Sequence, residues 1–269
     1  MDKAIGIFDS GVGGLTVMKE VIKELPFEDI IYFGDIARTP YGSKSKETVT
    51  KYAREIVHFL SSQGVKIIVV ACNTVTSFAL ETLRQEFRLP IIGVIKPGVK
   101  KAVEIAGNKR VGVIGTEGTI LSGAYQREIK SIQPSVEIIS ISCPLFVPIV
   151  EEGWIDTEVS NLVASEYLAP LKTKKIDTLI LGCTHYPMLK KVIQKVIGDG
   201  VKLVDSATQV AIETKDVLSK NGLIRESNRK ATHKFYVSDL PPKFKELAKR
   251  FLGEEIREVI KIDMSEFVK

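Results

Sequence analysis

Residues 66–77 read Lys66-Ile67-Ile68-Val69-Val70-Ala71-Cys72-Asn73-Thr74-Val75-Thr76-Ser77. A short, unbroken apolar run is what a strand buried on both faces requires. A helical pattern, Val75–Glu86, begins directly after it. Strand followed at once by helix is half of a β-α-β unit, and the figure recurs along the chain. Strands are predicted at Ala4–Phe8, Ile30–Phe33, Lys66–Ala71, Ile91–Val94, Arg110–Ile114, Val136–Ile141, Thr178–Leu181, Lys202–Val204 and Lys234–Val237. Helical spacing is clearest over Glu47–Leu60, Val75–Glu86 and Met188–Ile197, with Pro187 suited to a first turn. This alternation predicts an α/β fold of mostly parallel sheets flanked by helices.

The same stretch has an echo. Ile68-Val69-Val70-Ala71-Cys72-Asn73-Thr74 is matched by Leu179-Ile180-Leu181-Gly182-Cys183-Thr184-His185, 111 residues later. Lys3-Ala4-Ile5-Gly6-Ile7-Phe8-Asp9-Ser10 is matched by Lys109-Arg110-Val111-Gly112-Val113-Ile114-Gly115-Thr116, 106 residues later. Near-constant offsets predict two pseudo-symmetric α/β domains. Lys96-Pro97-Gly98 reads as punctuation between them. The expected division is 1–96 with 208–269 as the first domain, completed by the C-terminal segment, and 97–207 as the second.

A chain of 269 residues that is 44% hydrophobic and 26% charged can build a sizeable core, which excludes a disordered tail or a disulfide-stapled miniprotein. No apolar run approaches the roughly 20 residues of a membrane span. The net charge of +5 is spread along the chain, and with a single Trp it does not suggest nucleic-acid binding, though it suits small anions. The opening Met1-Asp2-Lys3-Ala4 enters a strand pattern at once, and the three cysteines are an odd number. Both point to a reducing, cytoplasmic setting.

Open α/β sheets bind ligands beyond the carboxyl ends of their strands. Those ends carry Asp9-Ser10, Asp35, Cys72-Asn73-Thr74, Thr116 and Cys183-Thr184-His185. A lone cysteine such as Cys143 is expected to be a buried, inert thiol. Cys72 and Cys183 occupy the same relative place in two repeats, each where strand gives way to helix. Helix N–H groups there are expected to favour thiolate and lower the thiol pKa. Thr74 and Thr184 suit N-caps. A zinc site would need more ligands than Cys72, Cys183 and His185, and paired spacing is missing. Gly11, Gly13 and Gly14 do not complete a dinucleotide-binding fingerprint, because Thr16 stands where the last glycine belongs. Their backbone N–H groups suit a carboxylate instead. His185 is either a structural histidine or a proton partner for Cys183. Asp9 is either a helix cap or a carboxylate acting on a thiol. Glu151 and Glu152 read as surface charges, and Thr39-Pro40-Tyr41-Gly42-Ser43 as a turn or a loop that clasps substrate.

Four motifs in this order resemble the glutamate racemases of the aspartate/glutamate racemase family: Phe8-Asp9-Ser10-Gly11-Val12-Gly13-Gly14-Leu15, Pro40-Tyr41-Gly42, Ala71-Cys72-Asn73-Thr74 and Leu181-Gly182-Cys183-Thr184-His185-Tyr186-Pro187. The resemblance runs from residue 1 to about residue 260. It implies two domains facing each other across a cleft that holds the active site, no cofactor and no metal. It also implies a homodimer, with neither nucleic acid nor membrane as partner. Cys72 and Cys183 match the two catalytic cysteines, and Asp9, Glu151 and His185 the supporting acid–base residues. Asp9, Ser10, Tyr41, Gly42, Asn73, Thr74, Thr184 and His185 match substrate-binding positions, with Pro40, Ser43, Thr116 and Thr119 nearby. Lys96 departs from the acidic or polar residue expected there.

The implied reaction is interconversion of L- and D-glutamate, supplying D-glutamate to bacterial peptidoglycan. Inverting a stereocentre by proton transfer needs a base on one face of the α-carbon and an acid on the other, and two repeats presenting the same group from opposite walls supply both. Thiols suit the task because a thiolate is accessible near neutral pH. Three alternatives stay open. One is an aspartate racemase or another cysteine-dependent isomerase, since a methylene is worth only about 1–3 kcal/mol of discrimination. A second is a hydrolase using Cys183 with His185, although positions i and i+2 at a strand end are not expected to meet. The third is a non-catalytic two-domain binding protein.

Overall fold

The computed structural model describes residues 3–106, 110–227 and 229–267. Met1 and Asp2 of the opening segment and Lys109 of the repeat lie outside them. The strands are β1 (Ile5–Asp9), β2 (Ile30–Gly34), β3 (Ile67–Val70), β4 (Ile91–Gly93), β5 (Arg110–Gly115), β6 (Glu137–Ser142), β7 (Thr178–Gly182), β8 (Lys202–Asp205), β9 (His233–Val237) and β10 (Ile260–Lys261). The α-helices are α1 (Leu15–Glu24), α2 (Lys46–Ser62), α3 (Asn73–Glu86), α4 (Ile95–Ala106), α5 (Glu117–Leu121), α6 (Ala124–Ile132), α7 (Phe146–Glu151), α8 (Glu158–Thr173), α9 (Lys190–Ile197), α10 (Ala207–Lys220) and α11 (Phe244–Leu252).

The strands form two all-parallel sheets, ordered β10-β9-β2-β1-β3-β4 and β6-β5-β7-β8. The nine expected strands are all present, with ends moved by one residue or so. β10 was not foreseen, because two residues carry no pattern. In the first sheet β1, β2 and β3 are buried along their whole length, which is why they read as continuous apolar runs. Alternate residues serve opposite faces. Phe8, Phe33, Ile68 and Val70 share a core with Val49, Ile56 and Leu60 of α2 and Val75 and Leu83 of α3. Ile5, Ile7, Tyr32 and Val69 share another with Met18 and Val21 of α1 and Phe244 and Phe251 of α11. Each such side chain contributes about 1.5–3 kcal/mol on burial.

Strands from beyond residue 207 return to the first sheet: β9 pairs with β2, from Ile30 opposite His233 to Gly34 opposite Val237. Lys96-Pro97-Gly98 lies in the first turn of α4, where proline needs no N–H partner, and Lys96 is exposed there. The Met188–Ile197 pattern divides into a 3-10 turn, Tyr186–Leu189, holding Pro187, followed by α9.

The two sheets deliver their central strand ends in equivalent ways. Phe8 pairs with Val70, so Asp9 emerges beside Ala71 and Cys72. Gly115 pairs with Gly182, so Thr116 emerges beside Cys183.

Candidate active site between the two sheets

The strand ends meet around a cavity of about 370 Å³. From the first sheet come Ser10, Pro40, Tyr41, Gly42, Cys72, Asn73 and Thr74; from the second come Thr116, Cys183, Thr184 and His185. Cys72 and Cys183 therefore line one space, at 5% and 7% exposure. Thr39 and Val147 complete the wall, and Val147 gave no sequence signal because an apolar residue on a helix reads as core. Among the described residues, no lysine or arginine lines this cavity.

Four residues singled out in the sequence stand one layer back. Asp9 is fully buried, and its Oδ2 accepts from Gly11 N at 3.1 Å. Thr119 is buried behind Thr116. Ser43 and Glu151 line an outer cavity of about 780 Å³ that shares Thr39, Pro40, Gly42, Thr116 and Val147 with the inner one. Glu151 is no free surface charge, because its Oε1 stands 2.9 Å from His185 Nε2. Glu152, by contrast, is exposed and 3.6 Å from Lys243.

Cys72 caps the N-terminus of α3 in extended backbone, and its Sγ–H donates to Ser10 Oγ at 3.6 Å. The expected lowering of its pKa is overturned. Burial first, then the Asp9 charge, push the Cys72 thiol up to about 12, outweighing the Val75 N–H of the helix start. Burial likewise raises Asp9, against the pull of the His185 charge and of backbone N–H groups.

On the other wall Cys183 Sγ lies 3.9 Å from His185 Nδ1. The two residues do meet, against expectation, because the chain turns at once into the Tyr186–Leu189 3-10 turn and His185 folds back over the strand end. Burial alone would push the His185 imidazole down, but hydrogen bonding and charge from Cys183 and Glu151 outweigh it and hold it up at about 10. Cys143 is wholly buried, and burial raises its thiol well above the ordinary range.

Thr74 and Thr184 are not N-caps. Thr74 Oγ1 is 2.9 Å from Thr116 Oγ1 and 3.3 Å from Thr119 Oγ1, so three hydroxyls cluster across the two sheets. Thr184 Oγ1 instead lies 3.5 Å from His185 Nδ1. Tyr125, which the sequence did not flag, donates its hydroxyl to Asn73 Oδ1 at 2.7 Å. Two glycines permit the close approach. A Cβ on Gly13 would lie 2.4 Å from Thr184 Oγ1 and 2.5 Å from His185 Nδ1. A Cβ on Gly42 would lie 2.7 Å from Thr116 Cβ, and the Gly42 carbonyl accepts from Gly118 N at 2.8 Å.

Chemically, the site sets two thiols, each with a carboxylate or carboxylate–imidazole neighbour, around a space lined by hydroxyls and backbone amides. A small anion fits such a lining.

Residues 5–214 match the family model described as Asp/Glu/Hydantoin racemase. The chain is 53% identical over 262 residues to a glutamate racemase of Geobacter metallireducens, covering 97% of each. It is 49% identical over 264 residues to a glutamate racemase of Chlorobaculum tepidum, covering 98% of this chain and 97% of that one. The crystal structure of glutamate racemase from Francisella tularensis subsp. tularensis SCHU S4 in complex with D-glutamate superposes with a TM-score of 0.94 at 41% identity, covering 98% of this chain and 99% of that one. With matched motifs, matched fold and matched length, the chain belongs to the Asp/Glu/Hydantoin racemase family.

Proposed function

We propose that the chain interconverts L- and D-glutamate by two-base proton transfer between Cys72 and Cys183, without a cofactor. The observation that carries this reading is the placement of both cysteines, from equivalent strand ends of two sheets, on one small cavity. The names of its relatives support glutamate as the substrate.

In one direction a thiolate at Cys183 takes the α-proton while the Cys72 thiol gives its proton to the opposite face. The reverse reaction exchanges the roles, so each turnover leaves the two sulfurs with swapped protons. His185, paired with Glu151, stands beside the Cys183 sulfur as its proton partner. Asp9 assists Cys72 and, through its charge, sets how readily that thiol ionises. An incoming substrate ammonium would offset the Asp9 charge and ease formation of the Cys72 thiolate. Ser10, the Tyr41–Gly42 backbone, Asn73, Thr74, Thr116 and Thr184 supply donors to the carboxylates.

The domain division that accompanies this reading is 1–96 with 208–269, and 97–207; the pairing of β9 with β2 supports it. Homodimerisation fits the exposed Leu121, Leu145, Trp154 and Leu162 on the second unit. Among the described residues, no helix is long and apolar enough to cross a membrane. A cytoplasmic role supplying D-glutamate for bacterial peptidoglycan completes the proposal.

One observation favours a second reading, a hydrolase. Cys183, His185 and Glu151 form the relay that a nucleophilic thiol would use. That reading leaves Cys72 without work. Incubating the protein with L-glutamate in heavy water without added cofactor separates the two. Racemisation gives inversion by circular dichroism together with α-deuterium uptake by mass spectrometry. A chain that does neither, but forms an acyl-enzyme on Cys183 with a chromogenic ester, is a hydrolase.

A further inference from the structure

Asp35 follows β2 and is fully buried, yet it lines neither cavity. Its Oδ2 accepts from Arg38 Nε at 2.7 Å and from the Tyr41 hydroxyl. Its Oδ1 accepts from Ser238 Oγ at 2.7 Å, and Ser238 Oγ in turn accepts from Ala37 N at 2.9 Å. One carboxylate thus gathers both ends of the segment from Ala37 to Tyr41, together with the residue that follows β9.

The loop is anchored on one side and presented on the other. The Tyr41 ring is buried, 5.6 Å from the Tyr52 ring, with its hydroxyl on Asp35. Burial and the Asp35 charge hold that phenol well above its usual pKa, so it stays a donor. The next residue, Gly42, faces the cavity and touches the second sheet through Gly118 and Thr116. Arg38, the nearby cation, is committed elsewhere: its guanidinium pairs with Asp35 and Glu55 and lies 4.0 Å over the Tyr52 ring. Among the described residues no lysine or arginine lines the cavity, so apart from His185 a dicarboxylate depends on hydroxyls and on where the loop places its backbone donors.

We propose that Asp35 is a positioning residue, which through Tyr41, Arg38 and Ser238 holds residues 39–43 in the conformation that binds the substrate carboxylates. This rests on the reading that the cavity takes glutamate. The thiols stand on other strand ends, so loss of the anchor weakens binding and leaves proton transfer in place.

The test compares wild type, Asp35→Asn, Tyr41→Phe and the double variant. D-glutamate affinity is measured by calorimetry, KM and kcat in both directions by circular dichroism, and fold integrity by urea midpoint. Each single variant is expected to raise Kd and KM about tenfold, or about 1.4 kcal/mol, with kcat within about threefold of wild type. The double variant is expected to be no worse than the weaker single, because both changes break one linkage. A merely structural role would give additive loss of stability without this split. Tyr41→Phe keeps the packed ring, so it carries the test should Asp35→Asn fail to fold. Unchanged Kd and KM in a folded Tyr41→Phe, or a fall in kcat alone, overturns the proposal. A wild type that neither binds nor inverts glutamate overturns instead the functional reading on which it rests.

Discussion

His185 Nε2 stands 2.9 Å from Glu151 Oε1, joining the strand end that carries Cys183 to the helix that borders the outer cavity. Together with the hydrogen bond and charge of Cys183, the contact holds the imidazole's pKa up against burial.

Glu151→Gln removes part of that support, and the His185 pKa is expected to fall below about 10 while the Cys183 contribution stays in place. With only three histidines in the chain, ring signals in an NMR titration can be assigned by substitution. Because the folded pKa is raised, the pair's contribution to stability is fully present below pH 6.5 and is lost as pH rises through 10. The wild-type advantage over Glu151→Gln in urea unfolding should therefore shrink between those values. Glu151 is a third exposed, so the advantage is at most about 1 kcal/mol.

Asp9→Asn removes the charge that, with burial, holds the Cys72 thiol at about 12. The thiol pKa should fall, and alkylation of Cys72 by iodoacetamide at pH 8 should quicken several-fold, read by peptide mass spectrometry beside Cys143 and Cys183. Turnover should nonetheless drop by about 10²-fold, the usual scale for a lost acid–base group. Slower alkylation would mean that Asp9 promotes the resting thiolate.

Gly13→Ala places a methyl group 2.4 Å from Thr184 Oγ1 and 2.5 Å from His185 Nδ1, where either that side chain or the glycine loop must move. A displacement on the scale of 1 Å is expected to cost about 10²-fold in kcat/KM. The thermal midpoint should change little, since the contact lies at a cavity edge and not in a core.

Glu28→Gln leaves Lys66 buried without its partner, at 3% exposure, at the end of the first sheet remote from the cavity. Lys66 Nζ also donates to the Leu223 carbonyl at 2.7 Å, tying the segment after α10 to that sheet. Breaking such a pair costs about 3–5 kcal/mol. Urea unfolding should show that loss, while the activity of the folded fraction stays near wild type.

Much of this architecture was legible in residue order. Buried parallel strands announce themselves as apolar runs, and the repeat of Cys72 in Cys183 marks equivalent strand ends without coordinates. Contacts between distant segments were not legible. Residue spacing does not pair Glu151 with His185, Tyr125 with Asn73, or Ser238 with Asp35, because each pairing depends on how one layer settles on another. The direction of the Cys72 shift was misjudged for the same reason. A helix start is visible in sequence, whereas the depth of burial and the nearby carboxylate charge are not.

The most direct measurement concerns the two sulfurs. Cys72→Ser and Cys183→Ser are each incubated with L- and D-glutamate in heavy water, following optical rotation and α-deuterium together. Net inversion should fall by at least about 10²-fold in both directions for either variant, with solvent exchange of one enantiomer less affected than inversion. A Cys72→Ser protein that racemises glutamate at the wild-type rate would contradict a two-thiol transfer across this cavity.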